Sequence, residues 1–85
     1  MYSVYILKSA KDNNLYIGAT GNLQKRLSDH NQGKVFATKS RLPLKLMYCE
    51  VYRDKRDAFR REKMLKHNGQ GLRRLRERLT YSLSS

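Results

Sequence analysis

The sequence predicts an α+β domain in which a small, three-stranded, mostly antiparallel sheet is flanked by helices in the order ββαβαα. Two segments rich in β-branched and aromatic residues lie near the start of the chain, and a polar cluster separates them, which is typical of a hairpin. Later segments carry apolar residues at helical spacing. The 85 residues are enough for one small core and too few for two.

The first part of the chain predicts a hairpin that leads into a helix. Residues 2–7 and 15–20 are expected to form the two strands. Asn22 is suited to cap a helix from residue 23 to about residue 32, and Gly33 is suited to end it.

The middle of the chain predicts a loop, a third strand and a second helix. Residues 33–43 have little periodicity and several basic side chains, which indicates a basic loop. Residues 44–52 alternate well enough for a strand. The carboxylate of Asp54 suits a helix N-terminus, so we expect a helix from there to about residue 66.

The C-terminal part predicts a third helix and a tail. The stretch "NGQG" at residues 68–71 interrupts the second helix, and the third helix is amphipathic with an arginine-rich face. Its apolar face is marked by Leu72, Leu75, Leu79 and Leu83. We expect residues 1–79 to form the domain and residues 80–85 a loose C-terminal tail.

The charge balance predicts a polyanionic partner. Nineteen Lys and Arg residues against seven Asp and Glu residues give a net charge of +12, and the excess runs along the whole chain. The alternative is a merely basic soluble protein. Cys49 is the single cysteine, which excludes an internal disulfide and a multi-cysteine zinc site. With no signal peptide or membrane-spanning stretch in the sequence, we expect a reducing, cytoplasmic location.

Two tyrosines of the hairpin are candidates for a site on the sheet. Tyr5 and Tyr16 are eleven residues apart, and an odd separation allows them to lie directly opposite each other on one face. The structural alternative is a cross-strand aromatic pair, which stabilises a sheet by about 0.2–1 kcal/mol.

The first helix adds two polar candidates beside its apolar face. At about 100° per residue, Arg26 and His30 flank the arc set by Leu23 and Leu27, so both are expected on or beside the face that meets the sheet. Alternatively, the Arg26 stem covers the core while its head reaches water, and His30 is a hydrogen-bonded residue at the domain edge.

The second helix carries a carboxylate at a position where its pattern calls for an apolar residue. Ala58, Phe59 and Leu65 define one arc, and Glu62 projects into the middle of it. Burying an unpaired carboxylate is costly, so Glu62 needs an arginine, neighbouring donors or a metal cation. The structural alternative is an ion pair that only joins two elements.

Together these residues are typical of phosphodiester hydrolysis. A hard divalent cation on a carboxylate polarises a phosphate, an arginine balances the developing charge, and a phenol can accept or pass the proton of water. Motifs of serine hydrolases, phosphate-loop nucleotidases and zinc proteases are absent from the sequence.

Four ordered motifs resemble the GIY-YIG nuclease superfamily. They are "SVYIL", "LYIGAT", "NLQKRLSDHNQGK" and "REKMLK", and the match covers about residues 2–79. The chain resembles the small standalone GIY-YIG proteins of bacteria, which are related to the nuclease domain of the excision-repair C subunit.

The resemblance implies roles for five residues. Tyr5 matches the tyrosine that serves as base or proton relay, and Tyr16 matches the one that orients phosphate and water. Arg26 matches the catalytic arginine, His30 a position that assists proton movement, and Glu62 the ligand of a single Mg²⁺ or Mn²⁺ ion.

Some positions keep the pattern of the family and others depart from it. Gly18 is the glycine of the second motif, whereas Ser3 stands where the first motif has a glycine. Many relatives carry a lysine at the position of Ala19. Asn68 is the nearest candidate for an asparagine that several relatives use, but it follows Glu62 at a shorter spacing.

We therefore expect a metal-dependent endonuclease that cuts DNA with weak sequence specificity and prefers branched, flapped or damaged structures, as in repair or recombination. The alternative is a non-catalytic basic module that binds DNA or RNA. The candidate nucleic-acid contacts are Lys34, Lys39, Ser40, Arg41, Arg60, Arg61 and Lys63.

Overall fold

The computed structural model describes residues 1–67 and 69–84. Its strands are β1 (Tyr2–Ser9), β2 (Leu15–Thr20) and β3 (Leu44–Tyr52). Its helices are α1 (Leu23–Asn31), α2 (Lys55–His67), α3 (Gly69–Arg78) and α4 (Thr80–Ser84). The sheet has the order β2-β1-β3 and both pairings are antiparallel, so the predicted α+β fold with a three-stranded antiparallel sheet is confirmed.

The central strand β1 carries an apolar cluster on each face of the sheet, because successive side chains of a strand point to opposite faces. Val4 and Ile6 pack against buried apolar residues of α2 and α3 on one face. Tyr5 and Leu7 pack on the other face with apolar residues of α1. The sheet is therefore a middle layer, with α1 on one side and the C-terminal helices on the other.

Helix α1 begins and ends as the sequence predicts. The side chain of Asn22 accepts a hydrogen bond of 3.1 Å from the backbone N–H of Lys25, which caps the first turn. Gly33 has a φ of +75°, a conformation that glycine adopts without a steric penalty. These two signals set the length of the helix and hence the positions of its polar side chains.

The C-terminal segment differs from the prediction of a loose tail. Residues 80–84 form helix α4, and Leu79 and Leu83 pack against the core on the Val4 side of the sheet. The Lys8 ammonium also donates a hydrogen bond of 3.0 Å to the carbonyl oxygen of Leu83. The packing of these partly buried leucines explains why the segment is a helix rather than a loose tail.

No helix within residues 1–67 and 69–84 has the length and apolar character needed to cross a bilayer.

Candidate active site

The two tyrosines of the hairpin share a face of the sheet but do not lie directly opposite each other. Tyr5 lies opposite Gly18, and Tyr16 lies opposite Leu7. The loop at residues 9–14 sets a register two residues away from direct pairing, and a shift of two residues preserves the face. The prediction of direct pairing is therefore wrong, whereas the shared face is observed.

Gly18 provides the space that the Tyr5 phenol occupies. A Cβ atom built on Gly18 would overlap the Tyr5 hydroxyl oxygen and lie 2.5 Å from Cζ. Real Cβ atoms do not approach other atoms this closely, so any side chain at position 18 would push the phenol away.

Replacing Gly18 by alanine is therefore expected to lower the free energy of unfolding by about 1–3 kcal/mol, the usual cost of overpacking a core. Gly69→Ala is the matched control, because the added Cβ meets no atom of the described residues within 4 Å. Urea unfolding of both variants measures the difference. Equal stability of Gly18→Ala and the wild type would contradict the close packing of Tyr5 on Gly18.

His30 of α1 contacts both Tyr5 and Tyr16 on their face of the sheet. It is fully buried, and its Nε2 atom lies 2.9 Å from the Tyr5 hydroxyl oxygen. Its ring centroid lies 5.7 Å from that of Tyr5 and 5.2 Å from that of Tyr16, both in edge-to-face geometry. The helical spacing of α1 thus delivers His30 to the sheet, as the sequence predicts.

The local electrostatics favour a neutral histidine next to a protonated phenol. Burial raises the pKa of Tyr5, while the Arg26 guanidinium, which hydrogen-bonds to the phenol, acts in the opposite direction. Burial and the charge of Arg26 lower the pKa of His30, and Asp29 partly offsets them. Arg26 is therefore placed to stabilise negative charge on the Tyr5 oxygen or on a neighbouring anion.

An open cavity of about 230 Å³ lies beside Arg26. Its lining consists of polar side chains from the end of β2 and the first turns of α1: Thr20, Asn22, Lys25, Arg26 and Asp29. Arg26 thus lines a cavity that is open to solvent while its charge still acts on the buried Tyr5.

Glu62 reaches this site from α2, which contacts both β1 and β2. Its charge contributes to the raised pKa of Tyr5, and its carboxylate lies 3.2 Å from the Lys66 ammonium. Lys66 in turn lies 5.6 Å from the centroid of the Tyr16 ring. Glu62 is therefore linked to Tyr5 through its charge and to the Tyr16 ring through Lys66, although α2 packs mainly on the other face of the sheet.

The position of Glu62 corrects the predicted pattern of α2. Phe59 was expected on the apolar arc but is 41% exposed, and the buried residues of α2 are Ala58 and Leu65. The Glu62 side chain is 23% exposed. It lies at the rim of the core rather than in the middle of it, which leaves the carboxylate open to a ligand.

The donor set fits a single hard divalent cation. In the described part of the chain, no three His, Cys, Asp or Glu side chains are grouped to hold a metal. Mg²⁺ does not require such a group, because it keeps several waters and binds one or two carboxylates together with substrate phosphates. Lys66 is 38% exposed on a flexible stem and can release Glu62 to such an ion.

The candidate nucleic-acid contacts divide into exposed residues and residues whose side chains form ion pairs within the protein. The exposed group comprises Lys34, Lys39, Ser40, Arg60 and Lys63. Arg41 instead donates a hydrogen bond of 3.1 Å to Asp12, and Arg61 forms two hydrogen bonds of 2.9 Å to Glu50. Because both guanidinium groups are engaged in ion pairs within the protein, they are poorer phosphate contacts than the sequence indicates.

Sequence reasoning missed two residues of the site. Lys66 has a detectable signal, since it lies four residues after Glu62 on the same helix. Thr38 has none: it lies in the aperiodic loop at residues 33–43, yet it is fully buried and its Oγ1 atom is 2.8 Å from His30 Nδ1.

Two of the three positions that depart from the family pattern lie within the described residues. Ala19 packs against the core on the opposite face of the sheet from Tyr16. Ser3 is buried in β1. Asn68 lies outside the described residues.

Comparison with known proteins identifies relatives with the same domain. The GIY-YIG catalytic domain family matches residues 1–75. A UPF0213 protein of Bacillus licheniformis is 48% identical over 59 residues, which cover 68% of this chain and 60% of that protein. A UPF0213 protein of Staphylococcus haemolyticus is 47% identical over 64 residues, which cover 74% of this chain and 77% of that protein. The chain thus spans less than two thirds of the length of the Bacillus licheniformis relative.

A solved structure supports the same assignment. The solution NMR structure of a UPF0213 protein from Bacillus halodurans matches with a TM-score of 0.57 and 31% identity, over 100% of this chain and 95% of the other. GIY-YIG domains are nuclease domains that act on nucleic acid and in general depend on a divalent metal. The name UPF0213 states no activity. By the extent of these matches, the chain belongs to the GIY-YIG family of nuclease catalytic domains.

Proposed function

We propose that this protein is a divalent-metal-dependent endonuclease that hydrolyses phosphodiester bonds of DNA with weak sequence specificity. The observation that carries the proposal is the convergence near Tyr5 of four groups from three elements, α1, β2 and α2. His30 is hydrogen-bonded to it, Arg26 and Glu62 act on it through their charges, and Tyr16 lies against the same histidine.

Each group has a defined part in hydrolysis. Tyr5 passes its own hydroxyl proton to an oxygen of the substrate and, as the phenolate, takes a proton from the water that attacks phosphorus. Arg26 stabilises the charge that develops on the phenol or on the phosphate oxygens. Glu62 would hold the divalent cation, whose charge stabilises the departing oxygen. Tyr16 lies beside Lys66, the ion-pair partner of Glu62, and can orient the phosphate.

The exposed basic residues support a nucleic-acid substrate and a low degree of sequence readout. Lys34 and Lys39 lie in the loop after α1, and Arg60 and Lys63 lie on α2. Contacts of such residues with phosphates position a duplex but carry no sequence information. We therefore propose recognition of the shape of the DNA, with branched, flapped or damaged structures of repair or recombination as preferred substrates.

Nicking of a supercoiled plasmid in Mg²⁺ or Mn²⁺ tests this proposal. We expect nicking by the wild type, loss of at least about 10²-fold in rate for Tyr5→Phe, and no change for Tyr81→Phe. Tyr81 is the matched control because it is 90% exposed and lies in α4. If the wild type does not nick with either ion, or if Tyr5→Phe is as active as the wild type, the proposed function is wrong.

A second candidate function is that of a basic module that binds DNA or RNA without cleaving it. The ion pair between Glu62 and Lys66 favours it, because the ammonium occupies a position next to the carboxylate that a cation would need. This alternative predicts binding that weakens steeply with salt and no cleavage with any divalent ion. Cleavage under single-turnover conditions excludes it.

A further inference from the structure

The buried side chain of Thr38 completes a hydrogen-bonded chain behind the reactive tyrosine. Thr38 Oγ1 lies 2.8 Å from His30 Nδ1, and His30 Nε2 lies 2.9 Å from the Tyr5 hydroxyl oxygen. Thr38 and His30 are completely buried, and Tyr5 is 1% exposed. A neutral imidazole carries one proton, so the direction of this chain depends on which nitrogen holds it.

The number of protons limits the arrangement. Thr38, His30 and Tyr5 each offer one donor, but the chain contains only two hydrogen bonds, so one donor remains at an end. If Nδ1 carries the proton, it donates to Thr38 Oγ1, and Tyr5 donates to Nε2. The hydroxyl proton of Thr38 then has no acceptor within the chain. Among the described residues, Thr38 Oγ1 makes no hydrogen bond other than the one to His30, and its side chain is fully buried. Leaving that donor unpaired costs about 1–3 kcal/mol.

If Nε2 carries the proton, the donor that remains belongs to Tyr5. Thr38 then donates to Nδ1, and Nε2–H donates to the Tyr5 oxygen. The positive charge of Arg26 also acts on that oxygen. The Tyr5 proton is then the donor that has no acceptor within the chain, and an oxygen of the substrate can accept it. Once the phenol has released this proton, every donor in the chain is paired.

We propose that Thr38 is a positioning residue that holds His30 in the Nε2–H tautomer, so that the imidazole donates to Tyr5 instead of accepting its proton. This inference rests on the proposed function for its catalytic consequence, which is that Tyr5 exchanges its proton with the substrate side of the site. His30 then acts as a fixed dipole that stabilises negative charge on the phenol oxygen.

The backbone around Thr38 supports a positioning role. The N–H of Thr38 donates to the Val35 carbonyl at 3.1 Å, and its carbonyl accepts from the N–H of Arg41 at 2.9 Å. Val35 is itself buried. The hydroxyl is therefore held by the loop at a defined place beneath the histidine.

Long-range ¹H–¹⁵N correlation spectra of the ¹⁵N-labelled protein test the inference, because protonated and bare imidazole nitrogens resonate in separate regions. We expect His30 to show a protonated Nε2 and a bare Nδ1. The exposed His67 provides an internal reference in the same spectrum. A protonated Nδ1 on His30 overturns the inference.

Two variants sharpen the test. In Thr38→Val, which keeps the shape but removes the hydroxyl, we expect the bare Nδ1 resonance to move towards that of a nitrogen without a hydrogen bond. The rate of nicking should fall by about 10-fold with unchanged KM, as for one lost hydrogen bond. Thr38→Ser keeps the hydroxyl, so we expect it to show the Nδ1 resonance and the nicking rate of the wild type. A shift confined to the protonated nitrogen would show that Thr38 accepts, which contradicts the inference.

The spectra separate this inference from the proposed function. A protonated Nε2 in a protein that never nicks DNA would sustain the inference about the tautomer and reject the nuclease. A protonated Nδ1 in a protein that nicks DNA would reject the inference about the tautomer and sustain the nuclease. If Thr38→Val does not fold, the wild-type spectrum and Thr38→Ser still decide the direction of the chain.

Discussion

Replacing Glu62 by glutamine is expected to lower metal-dependent nicking of plasmid DNA by about 10³-fold or more, because a bound cation contributes several kcal/mol of transition-state stabilisation. Glutamine keeps the size of the side chain and removes the charge that binds the ion. The fold should tolerate this change, since the ion pair with Lys66 is a partly exposed pair four residues apart on one helix and contributes less than about 1 kcal/mol.

Glu77→Gln is the matched control for this variant. Glu77 is an exposed glutamate on α3, and its substitution changes the net charge by the same amount. DNA binding measured in EDTA should be equal in both variants, because each adds the same single unit of positive charge. Rates of nicking within 10-fold of the wild type for Glu62→Gln would show that Glu62 does not hold the catalytic ion.

The periodicity of the sequence was sufficient to find the residues that regular elements deliver to the site. Arg26 and His30 follow from their angular positions on α1, and the shared face of Tyr5 and Tyr16 follows from an odd separation in a hairpin. These inferences need only the geometry of one helix or one strand pair. They hold even though the actual register of the hairpin differs from direct pairing.

Features that depend on contacts between elements could not be predicted in this way. The burial of Thr38 next to His30 depends on the path of an irregular loop. The formation of α4 depends on the packing of Leu83 against the core. Glu62 looked like an inward residue of α2, yet the orientation of that helix on the sheet places it at the rim. In each case, tertiary packing decides the outcome and leaves no periodic signal.

Arg61 provides the second large expected effect, on stability. It forms a bidentate pair with Glu50 at 2.9 Å for each bond, and the two side chains are only 21% and 15% exposed. Arg61→Ala leaves the Glu50 carboxylate without its cation and should cost about 3–5 kcal/mol. For a domain of this size, the melting temperature should fall by at least about 10 °C. Arg74→Ala is the matched control, because it removes an exposed arginine from α3.

The dependence of this effect on pH identifies its origin. Burial tends to raise the pKa of Glu50, but hydrogen bonds from Arg61, Tyr52 and Tyr48 outweigh it and lower the pKa to about 2. A lowered pKa in the folded state stabilises the protein above the usual pKa of the carboxyl, and this contribution is lost as the pH falls towards 2. The difference in unfolding free energy between the wild type and Arg61→Ala should therefore be largest near neutral pH and shrink below about pH 4.5.

A double variant distinguishes the cost of an unpaired charge from simple loss of packing. Glu50→Gln combined with Arg61→Ala removes the buried charge, so we expect it to regain a large part of the stability that Arg61→Ala loses. A double variant no more stable than Arg61→Ala would mean that Arg61 stabilises the fold mainly through the packing of its apolar stem. Because Arg61 precedes Glu62 on α2, the same pair also holds the helix that carries the proposed metal ligand against β3. Urea unfolding and nicking rates measured on the same variants therefore connect the stability of this helix to the activity of the site.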